Sequence, residues 1–239
     1  MLAKTPPIKL SDLPIQQAEP EALVRHLNSV ERRNAPKIVY FSGNPGLLSS
    51  RVRVAVVGAR RASEDGLRRA GRLARELTRR GMLVVSGLAE GIDTAAHLAA
   101  ISSGGTTAAV LGSPIDVAYP AKNLELQWEI MRGHLALSQF PSGHPVLRTN
   151  FPQRNRTMAL FSDATVIVEA SDGSGTLSQG WEAIRLGRPL FLLRSVVEDP
   201  SLRWPAEMMQ FGAYCLGEPE ELFEVLPTEP PLPAECLAF

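Results

Sequence analysis

Short apolar runs alternate with longer amphipathic stretches over most of the chain. Residues 54–57 (V-A-V-V) and 82–85 (M-L-V-V) read as strands, each delivering small residues at its carboxyl end, Gly58 and Ser86-Gly87. Between them, Leu67, Ala70, Leu73, Ala74 and Leu77 recur at the spacing of one helix face over 64–80, and Gly81 closes the pattern. Strand, helix and strand of these lengths make a βαβ unit. Further apolar runs predict strands at 107–111, 135–138, 164–168 and 189–193, with a shorter one at 37–41. Helices are predicted at 92–102, 125–131, within 151–162, and at 176–186, 205–211 and 219–226. This alternation predicts an α/β fold, a Rossmann-like doubly wound and mostly parallel sheet. In such sheets ligands bind outside the carboxyl ends of the strands.

The flanks differ in composition. Residues 1–36 contain five prolines and one helical pattern, which starts at Glu19-Pro20-Glu21 and carries Leu23, Val24 and Leu27. They read as an N-terminal extension or short helical piece, ahead of a main domain at 37–226. Residues 227–239 read as a loose, proline-rich tail.

Composition narrows the class. With 44% hydrophobic and 21% charged residues, a chain of 239 residues is an ordinary globular protein with a good-sized core. No apolar run is long enough to span a bilayer, and the start lacks the apolar region of a signal peptide, so a cytoplasmic protein without membrane attachment is expected. Cys215 and Cys236 form no CxxC and read as reduced thiols. His97, His134 and His144 stand at no metal spacing, so no metal is expected.

The net charge is zero, but unevenly spread. Residues 60–80 hold eight arginines against three acids, a net +5; residues 198–239 hold nine acids against Arg203, a net −8. The helix arginines read as a solvated face. The segment 148–156, R-T-N-F-P-Q-R-N-R, is more informative. Its three guanidiniums fit phosphates, and Phe151 is suited either to stacking on an unpaired base or to the core. Four small-residue turns, at 58–60, 86–87, 112–113 and 173–176, could meet at one sheet edge, where helix starts favour anions. A GxGxxG fingerprint and a P-loop are both missing. No nucleophile–base–acid set stands out, so neither catalytic residue nor cofactor is expected.

Together, V-A-V-V-G-A-R at 54–60, V-V-S-G-L-A-E-G-I-D-T-A-A-H at 84–97, A-V-L-G-S-P-I-D-V-A-Y-P-A-K-N at 109–123, N-F-P-Q-R-N-R at 150–156 and G-S-G-T at 173–176 resemble the DNA-processing protein A family, called DprA or Smf. The resemblance implies a Rossmann-like domain, here without a C-terminal winged helix, that binds single-stranded DNA. It further implies RecA loading on incoming strands during natural transformation and recombination, a homodimer, and binding rather than catalysis. The family's basic pocket carries over to Arg60, Arg148, Phe151, Arg154 and Arg156, with Lys122 adjacent; Ser86, Gly87, Ser174 and Gly175 would offer backbone or hydroxyl contacts to phosphate. This chain departs from the family pattern at Ala59, at S-G-T-L-S-Q-G over 174–180, and at Leu193-Arg194-Ser195, where Pro-Gly is common. Two other readings remain: a nucleotide-binding sensor, and a phosphoribohydrolase of the lysine-decarboxylase-like family. For the latter, the nearest acid after Gly175-Thr176 is Glu182.

Overall fold

The computed structural model describes residues 8–24 and 27–227. Expectations that fall on residues 1–7, 25–26 and 228–239, including most of the tail and Cys236, lie outside the described residues. Nine strands form one sheet: β1 (Gln16–Ala18), β2 (Val39–Gly43), β3 (Arg53–Gly58), β4 (Leu83–Ser86), β5 (Thr107–Leu111), β6 (Leu135–Ser138), β7 (Ala164–Glu169), β8 (Leu190–Leu193) and β9 (Tyr214–Leu216). Their order is β1-β2-β6-β5-β4-β3-β7-β8-β9. Only β2 runs antiparallel to its neighbours, β1 and β6; all other pairs are parallel. The chain winds from β3 through β4 and β5 to β6, then returns to the other side of β3 with β7. The crevice between β3 and β7 is therefore the topological switch point.

The helices are α1 (Ser29–Asn34), α2 (Glu64–Arg79), α3 (Ile92–Ser102), α4 (Leu124–Gly133), α5 (Asn150–Leu160), α6 (Leu177–Arg185), α7 (Arg194–Val197), α8 (Trp204–Gln210) and α9 (Pro219–Val225). Alternate strand residues serve opposite faces. Ala55, Val57, Val85, Val110 and Ile167 pack with Met158, Ala183 and Met208 of α5, α6 and α8, and with Phe161 just after α5. Val54, Val56, Val84 and Val166 pack with α2 and α3, while Ala109, Leu111 and Ala136 pack with α4. Both faces are covered, so the strands read as unbroken apolar runs rather than alternating ones. Among the described residues no helix is long and apolar enough to cross a membrane.

The helix expected from Glu19 is not formed. Pro20–Ala22 makes a single 3-10 turn, and α1 begins instead after Asn28. The Asn28 side chain accepts from the backbone N–H of Val30 and Glu31, and Glu31 accepts from the Asn28 N–H. This reciprocal cap nucleates a helix nine residues later than the apolar pattern suggests. Leu23 and Leu27 are still buried. The N-terminal piece is joined to the sheet: β1 pairs with β2, and Arg188, just before β8, meets Glu31 at 2.7 Å.

At the amino ends of the central strands, the Arg53 side chain is 1% exposed and meets Asp163 at 2.9 and 2.5 Å, while the Arg53 backbone N–H donates to the same carboxylate at 2.9 Å. The pair fixes β3 against the start of β7. Asp163→Ala would leave a buried guanidinium without its carboxylate; we expect unfolding free energy to fall by about 3–5 kcal/mol in urea titrations.

A second interior polar contact predicts a pH dependence. The Thr107 hydroxyl donates to Val84 O, so it accepts from His97 Nδ1 at 2.7 Å, which leaves His97 Nε2 bare and buried without a partner. Burial, with smaller contributions from His134 and Arg154, lowers the His97 pKa to about 3. A histidine lowered on folding binds its proton more readily in the unfolded chain, so stability is full above pH 6.5 and declines as pH falls towards 3. At pH 5 the loss from His97 is about 2 kcal/mol, to be read as the difference between wild-type and His97→Gln in the pH dependence of the urea midpoint.

Candidate nucleic-acid interface

The helix α5 decides what the arginine-rich segment can do. With 3.6 residues per turn, Phe151, Arg154, Asn155 and Met158 share one face, and Arg156 turns away from it. Arg154 is therefore drawn into the protein and is only 6% exposed. Its Nη1 donates to Gly87 O at 2.5 Å and Val110 O at 2.8 Å, and its Nε to Asn155 Oδ1 at 3.1 Å. One guanidinium thus ties the carboxyl ends of β4 and β5 to α5. A Cβ on Gly87 would overlap that guanidinium, which is why the turn requires glycine. Asp93, at the start of α3, accepts from the N–H groups of Gly87 and Ala89 at 3.1 and 3.3 Å. Burial raises the Asp93 pKa, and burial lowers that of Arg154; their mutual attraction opposes both shifts.

Above Arg154 lies a cavity of about 470 Å³ at the switch point. Gly58 to Arg61 after β3, Asp93, Phe151, Arg154 and the turn Ser174-Gly175-Thr176 line it, with Gln179 deeper. The turn is pinned from two sides. Thr176 Oγ1 donates to Gly58 O at 3.0 Å, and Asn155 Nδ2 donates to Gly175 O at 3.2 Å. At the mouth, Arg60 lies over the Phe151 ring, 5.1 Å from its centroid. A second cavity of about 310 Å³ shares Arg60, Arg61, Ala89, Phe151 and Arg154, and extends to Gly87, Glu90, Gly112, Tyr119 and Pro120. The edge of Phe151 packs so closely on Gly112 that a Cβ there would approach its ring carbons at 2.7 and 2.8 Å. Phe151 is thus half-buried, seated on backbone on one side and open to the cavities on the other.

The structure gathers some expected residues and disperses others. Arg60, Phe151, Arg154, Ser174 and Gly175 line the first cavity, and Gly87 the second. Two of these residues have partners inside the protein: the buried Ser86 hydroxyl donates to Val56 O at 2.6 Å, and Arg154 Nη1 donates to two carbonyls while the residue lines both cavities. Arg156 lines neither cavity; it faces away and pairs with Glu182 at 3.0 Å. Lys122 pairs with Glu90 at 2.8 Å, on the rim of the second cavity. Arg148 is exposed in the turn before α5 and lines neither cavity. Arg61 and Tyr119 were not anticipated; Arg61 adjoins Arg60 in the same turn, and Tyr119 lies in the Y-P-A-K-N string.

Helix starts contribute less than expected. The carboxylate of Glu169, at the end of β7, accepts from the N–H and hydroxyl of Ser63 at 2.9 and 2.5 Å, and so occupies the positive end of α2. Asp93, in the first turn of α3, turns its carboxylate back to the loop N–H groups of Gly87 and Ala89. The arginines of α2 are a solvated face, as expected: Arg68 and Arg79 pair with Asp65 and Glu76 one turn away, and Arg72 with Glu218. Replacing Arg154 by Met should leave two buried carbonyls bare, at about 1–3 kcal/mol each, and show as a lowered urea midpoint. Wild-type stability in that variant would contradict the strut role.

Comparison with known proteins bears on the same region. The family model for DNA recombination-mediator protein A matches residues 18–227. The DNA processing protein DprA of Streptococcus pneumoniae is 39% identical over 180 residues, covering 75% of this chain and 63% of that protein. The chain spans less than two thirds of the length of the curated relatives it matches. The crystal structure of Streptococcus pneumoniae DprA superposes with a TM-score of 0.76 at 30% identity, covering 92% of this chain and 76% of that one. A Helicobacter pylori structure, described by its single-stranded DNA binding mode, superposes with a TM-score of 0.77 at 25% identity, covering 91% of this chain and 97% of that one. With a family match across nearly all of the described residues, the chain belongs to the DNA recombination-mediator protein A family.

Proposed function

We propose that this chain binds single-stranded DNA at the carboxyl edge of its sheet, with a backbone phosphate in the first cavity and a base against Phe151. The observation that carries this reading is the Arg60 guanidinium lying on the Phe151 ring at 5.1 Å, above the pinned turn at 174–176. A guanidinium fork suits phosphate, and an aromatic ring stacks on any base; the two together bind a strand without reading its sequence. Arg61 adds a second cation at the mouth. Arg148 stands outside the cavities and contributes longer-range attraction along the strand. The likeness to the Helicobacter pylori protein supports the choice of ligand. Family membership supports the wider proposal that the strand is handed to a RecA-type recombinase on incoming DNA, in the cytoplasm, by a homodimer.

A phosphoribohydrolase would need a carboxylate beside the Gly175-Thr176 turn. Glu182 is engaged by Arg156 and Arg185 and lines neither cavity, while Asp93 is held by two backbone N–H groups. Binding rather than catalysis is the reading these contacts favour.

Fluorescence anisotropy with labelled oligo-dT at two salt concentrations tests the proposal. We expect salt-sensitive binding that duplex DNA and AMP displace poorly. Arg60→Ala should weaken it and make the salt slope shallower by about 0.7, the value for one single-strand phosphate contact. Phe151→Ala should cost about 1–3 kcal/mol, and Arg148→Ala less than Arg60→Ala. Salt-insensitive binding, or ready displacement by AMP, would overturn the proposal in favour of a mononucleotide.

A further inference from the structure

The second cavity differs chemically from the first. Its outer wall is Tyr119, a large aromatic side chain 45% exposed to solvent. The Tyr119 and Phe151 centroids are 5.3 Å apart and the rings are inclined at 41°. A base inserted between two rings needs a separation of about 7–8 Å, two carbon–carbon contact distances, so this pair is closed to intercalation. The free surface is the outer face of Tyr119. Glu90 on this wall is paired with Lys122 at 2.8 Å, while Arg60, Arg61 and Arg154 lie on the side shared with the first cavity. A phosphate finds its cations on that shared side, and the Tyr119 side offers an aromatic face.

We infer that Tyr119 is a second base platform, taking the nucleobase next to the one on Phe151. This rests on the proposed strand binding and adds to it. The strand lies with a phosphate at Arg60 and Arg61 and successive bases on Phe151 and Tyr119. Lys122 then acts as a positioning residue: it neutralises Glu90 rather than touching phosphate.

The test compares two strands of equal length, oligo-dT and one built of abasic sites, on wild-type, Tyr119→Ala and Tyr119→Phe proteins by anisotropy. Tyr119→Ala should bind oligo-dT about ten-fold more weakly, within the range of one lost stack, and the abasic strand as wild-type does. Tyr119→Phe should bind both strands like wild-type. Undiminished binding of oligo-dT by Tyr119→Ala would overturn the platform. So would an equal loss on both strands, which marks a structural role. Wild-type protein that binds neither strand would instead overturn the strand-binding reading itself, and the platform with it.

Discussion

A buried cation that cannot be left unpaired organises the carboxyl edge of this sheet. Arg154 has little access to water, so its guanidinium must find oxygen inside the protein. It finds Gly87 O and Val110 O, the last turns of two neighbouring strands, and the nearby carboxylate of Asp93 moderates its charge. Several features follow from that demand. Gly87 has no side chain because the guanidinium occupies the space. Asn155 is oriented by the Arg154 Nε and passes the constraint on to the turn at 175. Phe151, one turn earlier on α5, is held over Gly112. The exposed cation Arg60 then lies on a ring that is already positioned.

The same edge shows why the site resembles a nucleotide fold without the usual nucleotide chemistry. Doubly wound sheets commonly spend the positive ends of their first helices on a pyrophosphate. Here the chain's own carboxylates stand at those places: Glu169 at the start of α2, and Asp93 in the first turn of α3. What remains for an anion is side-chain charge from Arg60 and Arg61 and the turn at 174–176. These are arranged along an open mouth rather than around a closed slot, a geometry better matched to a continuous chain of phosphates than to one small molecule.

Much of this was legible in the chain itself. Each apolar run ending in glycine or serine is a central strand, and β3, expected at 54–57, is found at Arg53–Gly58. The strands not foreseen, β1 and β9, are three residues each at the two sheet edges; Gln16-Gln17-Ala18 has no apolar pattern and is placed by backbone pairing alone. Within 148–156 the residue types were informative but their directions were not separated. The spacing of Phe151, Arg154, Asn155 and Met158 carries the helical period, and applying it would have turned Arg154 inward and Arg156 outward. The burial of Ser86 follows from the neighbouring strand, which no local pattern reports. Tyr119 and Arg61 lacked a distinguishing signal, because the exposure of one aromatic or one arginine is decided by what packs beside it.

The span of the Arg154 contacts has a consequence for how the site comes into being. Its two carbonyl partners lie 67 and 44 residues away in the chain. The guanidinium is therefore satisfied only after β4, β5 and α5 have all docked, and before that its desolvation works against collapse. The cavity at the carboxyl edge then arises in the same cooperative step as the central sheet. An isolated peptide bearing N-F-P-Q-R-N-R would lack it, and a partly unfolded chain would lose the site all at once rather than by degrees.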